Sequence, residues 1–125
     1  MGYAYTNKSG FKGPFVLDYD EIQYSTFDNN GVYILTDIDE GFFTDDYEVK
    51  YVGRGHLRTR LRKRIGSYTH FYYKVANNEY TRFRIECEEF HRYGKGNKLH
   101  NQIHPAKPSG DYYKCTEIGC SGESH

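Results

Sequence analysis

Three stretches decide how this chain folds: Gly31-Val32-Tyr33-Ile34-Leu35-Thr36, Tyr47-Glu48-Val49-Lys50-Tyr51-Val52-Gly53, and His56-Leu57-Arg58-Thr59-Arg60-Leu61-Arg62-Lys63-Arg64-Ile65. The first alternates like a half-buried strand, with Val32, Ile34 and Thr36 on one face and Tyr33 and Leu35 on the other. The second predicts another strand over Tyr47–Val52, closed by Gly53. Between them, Asp37 to Asp46 is acidic, carries Gly41 and is expected to be a long hairpin loop. The third stretch predicts a helix from His56 to Ile65. Leu57, Leu61 and Ile65 recur at i, i+4 and i+8 and make one apolar stripe, with Arg60 and Arg64 one step round from it.

Working outward, Ser67 to His70 reads as a turn and Phe71-Tyr72-Tyr73-Lys74-Val75 as a third strand. A second helix is expected over Glu79–Tyr93, stopped by Gly94, with Phe83, Cys87 and Phe90 at helical spacing. Gly94 to Asn97 is a break, Lys98 to His104 a short helix ended by Pro105, and 106–125 a loop-like tail. Residues 1–29 read as an irregular arm punctuated by Gly10 and Gly13-Pro14. Phe11, Phe15, Val16 and Leu17 are expected to dock it onto the sheet. The expectation is one α+β domain over 30–105, with a small three-stranded, mainly antiparallel sheet flanked by helices.

At 125 residues the chain is long enough for one modest core and not for two. With 14 Tyr, 8 Phe and no Trp, that core is built on rings whose hydroxyls reach a surface or a cleft. The net charge is zero but unevenly spread. Residues 1–50 hold three lysines against ten carboxylates, and residues 51–125 hold fourteen basic residues against seven acidic ones. A neutral total argues against a protein that coats nucleic acid indiscriminately, and leaves room for a local phosphate site. Three cysteines are too few for a disulfide framework. No apolar run reaches the length of a membrane span, and no membrane partner is expected. A soluble, cytoplasmic protein is the default.

Two strands that set tyrosines beside a basic helix supply acid/base hydroxyls and an anion clamp, the groups needed to work on a phosphodiester. The order of residues resembles the GIY-YIG nuclease family. Gly31-Val32-Tyr33 and Tyr51-Val52-Gly53 match its two naming motifs, each with Val for Ile. Leu57-x-x-Arg60 matches the pattern after the second motif, Glu86 the glutamate ahead of a bulky apolar residue (Phe90), and Asn101 the terminal asparagine. The similarity covers roughly Gly31 to Pro105.

The resemblance implies a phosphodiesterase with one divalent ion, Mg²⁺ or Mn²⁺, held by Glu86. Arg60 would clamp the scissile phosphate. Tyr33 or Tyr51 would take a proton from the attacking water, provided nearby cations pull its phenol pKa down. Asn101 would orient phosphate or water. Arg54, Arg58, Arg64 and Lys74 would follow the DNA backbone on either side, without sequence choice. Glu89 competes with Glu86 as the ligand, but Glu86 shares a face more nearly with Phe83, Cys87 and Phe90. His56, His70 and His91 are proton carriers of second rank. Cys115 and Cys120, with His104 or His125, make an incomplete zinc set and read better as reduced thiols.

Each residue also has an ordinary reading. In a chain with 14 tyrosines most are packing groups, and six basic residues between Arg54 and Arg64 usually mean a solvated face. Glu86, Glu88 and Glu89 can pair with Arg82, Arg84 or Arg92 on the same helix. Three functions therefore stand open: an endonuclease acting on DNA, branched or nicked, or brought to it by a protein partner; a catalytically inactive nucleic-acid-binding module of the same fold; and a protein-interaction domain. If the acidic first half covers the basic cleft, deleting 1–29 is expected to raise DNA binding.

Overall fold

The strand that opens at Gly31 lies inside the sheet of the computed structural model, which describes residues 10–40, 45–93, 99 and 100. This strand, β2 (Asn30–Glu40), pairs on one side with β3 (Asp45–His56) and on the other with β4 (His70–Val75). An outer strand, β1 (Lys12–Val16), pairs with β4, so the order is β1-β4-β2-β3 and every pairing is antiparallel. Three helices complete the described residues: α1 (Tyr19–Thr26), α2 (Leu57–Arg62) and α3 (Glu79–Tyr93).

The alternation expected for β2 is observed. Val32 and Ile34 face α3 together with Val49, Val52, Tyr72, Ile85, Phe90 and Tyr93. Tyr33 and Leu35 face α1 and α2 with Leu17, Ile22, Leu57, Leu61 and Phe71. The sheet is thus covered on both faces, which is why its strands carry apolar residues on both sides. None of the described helices is long and apolar enough to cross a membrane.

The α+β class agrees with the sequence reading, and the sheet has four strands where three were expected. The fourth comes from the segment read as an irregular arm. β1 contains Gly13-Pro14, which demotes a segment as a central strand but suits an edge, where the missing N–H faces no neighbour. Gly13 is needed there, because its φ is 136° and a Cβ would meet the Phe71 carbonyl at 2.8 Å. Phe11 and Leu17 are buried as expected, whereas Val16 is 51% exposed. α1 was also missed. Asp18 caps it by accepting from the Glu21 N–H at 2.8 Å, and Asp18-x-x-Glu21 is a helix-start signature present in the sequence.

The hairpin strands run further than expected, to Glu40 and from Asp45, so the expected loop is mostly strand. The helix expected over His56–Ile65 is shorter. His56 caps α2, its ring accepting from the Thr59 N–H, and the helix ends at Arg62. Arg64 and Ile65 then donate to the carbonyls three residues back, Leu61 and Arg62. Those tighter turns carry Ile65 off the stripe, and it is 40% exposed while Leu57 and Leu61 are buried. α3 has the expected bounds, with Asn78 accepting from the Thr81 N–H at its start. The expected Lys98–His104 helix, apart from Leu99 and His100, the 106–125 tail, Cys115 and Cys120 lie outside the described residues.

Candidate functional site

A backbone irregularity puts the two motif tyrosines on one side of the sheet. Tyr47, Val49 and Val52 all face α3, although strict alternation from Val49 would send Val52 to the other face. The register of β3 against β2 slips between Leu35–Tyr51 and Thr36–Val49, leaving Lys50 as an extra residue. This bulge turns Tyr51 to the face that holds Tyr33. Their rings stack at 6.2 Å between centroids, 10° from parallel. Gly53 pairs with Tyr33 across the strands, and a Cβ there would run into the Tyr33 phenol. The absence of a side chain at Gly53 is what lets Tyr33 lie across β3.

β3 is an edge strand, and its glycine-rich end opens a cavity of about 640 Å³. Tyr33, Tyr51, Gly53 and Gly55 line it from the sheet. Arg60, Lys63 and Arg64 come from α2 and the turn after it, Arg54 from β3, and Glu79, Arg82 and Glu86 from α3. Gly55 has φ 136°, and a Cβ there would meet Arg60 Nε at 2.9 Å, so this glycine too makes room for a site residue. Five cations and two carboxylates surround the space, a balance that favours an anion.

Those cations are engaged to different degrees. Arg64 donates to Tyr51 Oη at 2.8 Å and its guanidinium lies 4.3 Å above the Tyr51 ring. Arg82 donates to the Ala76 carbonyl at 2.9 Å and anchors the start of α3. Arg54 forms an ion pair with Glu86 Oε1, and its guanidinium sits 5.4 Å from the centre of the Phe83 ring. The side chains of Arg60 and Lys63 make no hydrogen bond or ion pair with the described residues.

Burial dominates the titration of the site. Glu86 is 6% exposed, and burial pushes its carboxyl up to about 6 against the opposing pull of Arg54 and Arg60. Tyr33 is 3% exposed, and its phenol is pushed up to about 12 by burial first and by Tyr51 next, with Arg64 and Arg60 opposing. The expectation that nearby cations lower a tyrosine pKa therefore fails at Tyr33, because desolvation outweighs the cations.

Of the residues picked out in the sequence, Tyr33, Tyr51, Arg54, Arg60, Arg64 and Glu86 meet in this cavity. Glu89 does not line it; it is buried and lies 3.4 Å from Arg92 Nε. Arg58 stands 3.6 Å from Asp28, which also takes His56 Nε2 at 2.7 Å, and neither basic residue lines the cavity. Lys74 is on β4, separated from β3 by β2 and close to Gly10. His70 and His91 are likewise not among the lining residues. Asn101 lies outside the described residues.

Sequence reading missed Lys63, Glu79 and Arg82. Helical period would have found the last two, since they precede Glu86 by two turns and by one turn on the same face. No family model matches the chain, and no curated protein or solved structure is significantly similar to it.

Proposed function

We propose that this chain is a GIY-YIG-type endonuclease domain that hydrolyses DNA phosphodiester bonds with a bound Mg²⁺ or Mn²⁺. The observation that carries the reading is the convergence of Tyr33, Tyr51, Arg60 and Glu86, from four separate elements, on one cation-rich cavity. Packing alone does not require four such residues to share a space.

The residues fit a hard divalent ion of low protein ligancy. Glu86 is a buried carboxylate facing the cavity, and its charge needs a cation beside it. Among the described residues no three His, Cys, Asp or Glu side chains cluster to hold a metal. One carboxylate, with water and phosphate oxygens as the other ligands, is a coordination Mg²⁺ accepts. When bound, the ion supplies Lewis-acid charge to the phosphate and the leaving 3′ oxygen.

Arg60, lying across Gly55, offers its guanidinium to the non-bridging phosphate oxygens, with Lys63 beside it as a second cation. Tyr51 is the better-placed base of the two tyrosines. Its oxygen already accepts from Arg64, a cationic donor at the atom that would carry negative charge. Tyr33, which burial keeps protonated, serves as a hydrogen-bond donor in the wall of the cavity. The charged groups lining the cavity suit phosphate, which carries no sequence information, and the proposed enzyme takes DNA by its shape (a branch, nick or end) or through a partner protein.

The deciding experiment incubates supercoiled plasmid and branched DNA with the protein in Mg²⁺, Mn²⁺ or EDTA. Arg60→Ala and Glu86→Ala run alongside. Metal-dependent nicking is expected, with each substitution lowering the rate about 100-fold or more. The alternative, a catalytically inactive nucleic-acid-binding module, is favoured by one observation: Arg54 already neutralises Glu86, as a site with no metal to hold would need. No cutting, with DNA affinity unchanged in Glu86→Ala, would establish that module instead.

A further inference from the structure

We infer that Arg54 is an exchangeable counter-ion of Glu86, which leaves the carboxylate for the DNA phosphate as the divalent ion arrives, so that metal and nucleic acid bind cooperatively. The inference rests on the nuclease reading and adds to it a coupling between its two ligands.

Position comes first. Arg54 follows Gly53 on edge strand β3 and faces α3, where its guanidinium meets Glu86 Oε1 over the Phe83 ring. Its side chain is 19% exposed and that of Glu86 is 8% exposed, so water screens the pair poorly. A carboxylate so buried is stable as an anion only beside a cation, and Arg54 is that cation. The oxygen it holds is one that an ion at Glu86 would take. Arg54 and the metal thus compete for Glu86, and an ion arriving alone would strand the guanidinium beside a divalent charge.

A phosphodiester removes that conflict. Arg54 lines the same cavity as Arg60 and Lys63, the two cavity cations whose side chains make neither a hydrogen bond nor an ion pair with the described residues. A phosphate drawn there by Arg60 and Lys63 offers the guanidinium a new acceptor, two non-bridging oxygens spaced to take its fork of N–H donors. It also offers the metal an oxygen ligand to replace a water. Each ligand then improves the site for the other, and reciprocity makes the enhancement equal in both directions. Arg82 and Arg64 are poorer candidates for this exchange, since each already holds a neutral group of the fold.

The test is Mn²⁺ binding by calorimetry and by the Mn²⁺ paramagnetic-resonance signal, without nucleic acid, on wild type, Glu86→Gln, Arg54→Met and Arg54→Met with Glu86→Gln. Met keeps an apolar stem against Phe83 and removes the charge. Arg54→Met is expected to bind Mn²⁺ about tenfold or more tightly than wild type, and the double variant to lose that binding. Equal or weaker binding in Arg54→Met, with Glu86-dependent binding in wild type, would overturn the exchange and leave the nuclease reading standing. Binding that ignores Glu86→Gln would remove the metal site and both proposals with it. Wild type alone gives a second reading that needs no folded variant. A phosphorothioate duplex, corrected for the Mn²⁺ it binds by itself, should raise the protein's Mn²⁺ affinity about tenfold, and no increase would overturn the coupling.

Discussion

At the scale of residues, the site is governed by burial more than by the sum of its charges. Glu86 holds its proton up to about pH 6 because desolvation exceeds the help of Arg54 and Arg60. For a carboxyl whose folded pKa lies above its unfolded value, the folded state binds the proton more tightly. Its contribution to stability therefore falls as pH rises from about 4.5 to about 6, the reverse of an ordinary salt-bridged acid. A metal bound at Glu86, as proposed, would displace the same proton, so Mn²⁺ affinity should fall about tenfold per unit below pH about 6 and level off above it. Calorimetric titrations on both sides of that value check this; a flat profile would remove Glu86 as the ligand. The tyrosines should separate as well. Tyr51→Phe is expected to lower cutting about 100-fold or more, and Tyr33→Phe far less, as measured by single-turnover rates. Equal losses would return the base role to either phenol.

At the scale of elements, two glycines and a bulge shape the site. Gly55 combines a left-handed φ with a Cβ position occupied by Arg60, so Gly55→Ala meets strain and a clash together. About 1–3 kcal/mol of destabilisation is expected in chemical denaturation, with a larger loss of DNA affinity than the stability change accounts for. Unchanged affinity would mean that Arg60 does not depend on the space Gly55 leaves. β2, β4 and α3 were legible because long periodic runs announce them. α1 was not recognised although Asp18-x-x-Glu21 was in plain view, because a helix of eight residues carries little periodicity to set beside its cap. The end of α2 was misjudged for a different reason. Leu57, Leu61 and Ile65 have helical spacing, yet the backbone turns at Arg62 before the third can join the stripe.

At the scale of the whole molecule, the acidic first half is part of the scaffold. Phe11, Leu17 and Ile22 are buried against the two faces of the sheet, and none of residues 10–29 lines the cavity. A chain starting at residue 30 would lose β1 and α1 and uncover part of each face of the sheet. It is expected to show no cooperative thermal unfolding by circular dichroism, where the covering-arm idea expects a folded protein with raised DNA affinity. The sequence by itself determined the α+β class, the faces of β2, the span of α3, and the order of residues that resembles a nuclease. Those follow from local periodicity and from side-chain chemistry, which neighbours in the chain carry. Only the tertiary structure decided that Tyr51 turns to the side of Tyr33, that Glu86 faces the cavity while Glu89 does not, and that Arg54 holds Glu86. A bulge, a glycine gap and an ion pair between β3 and α3 are made by partners far apart in sequence, and burial, which sets both pKa values, exists only once those partners meet.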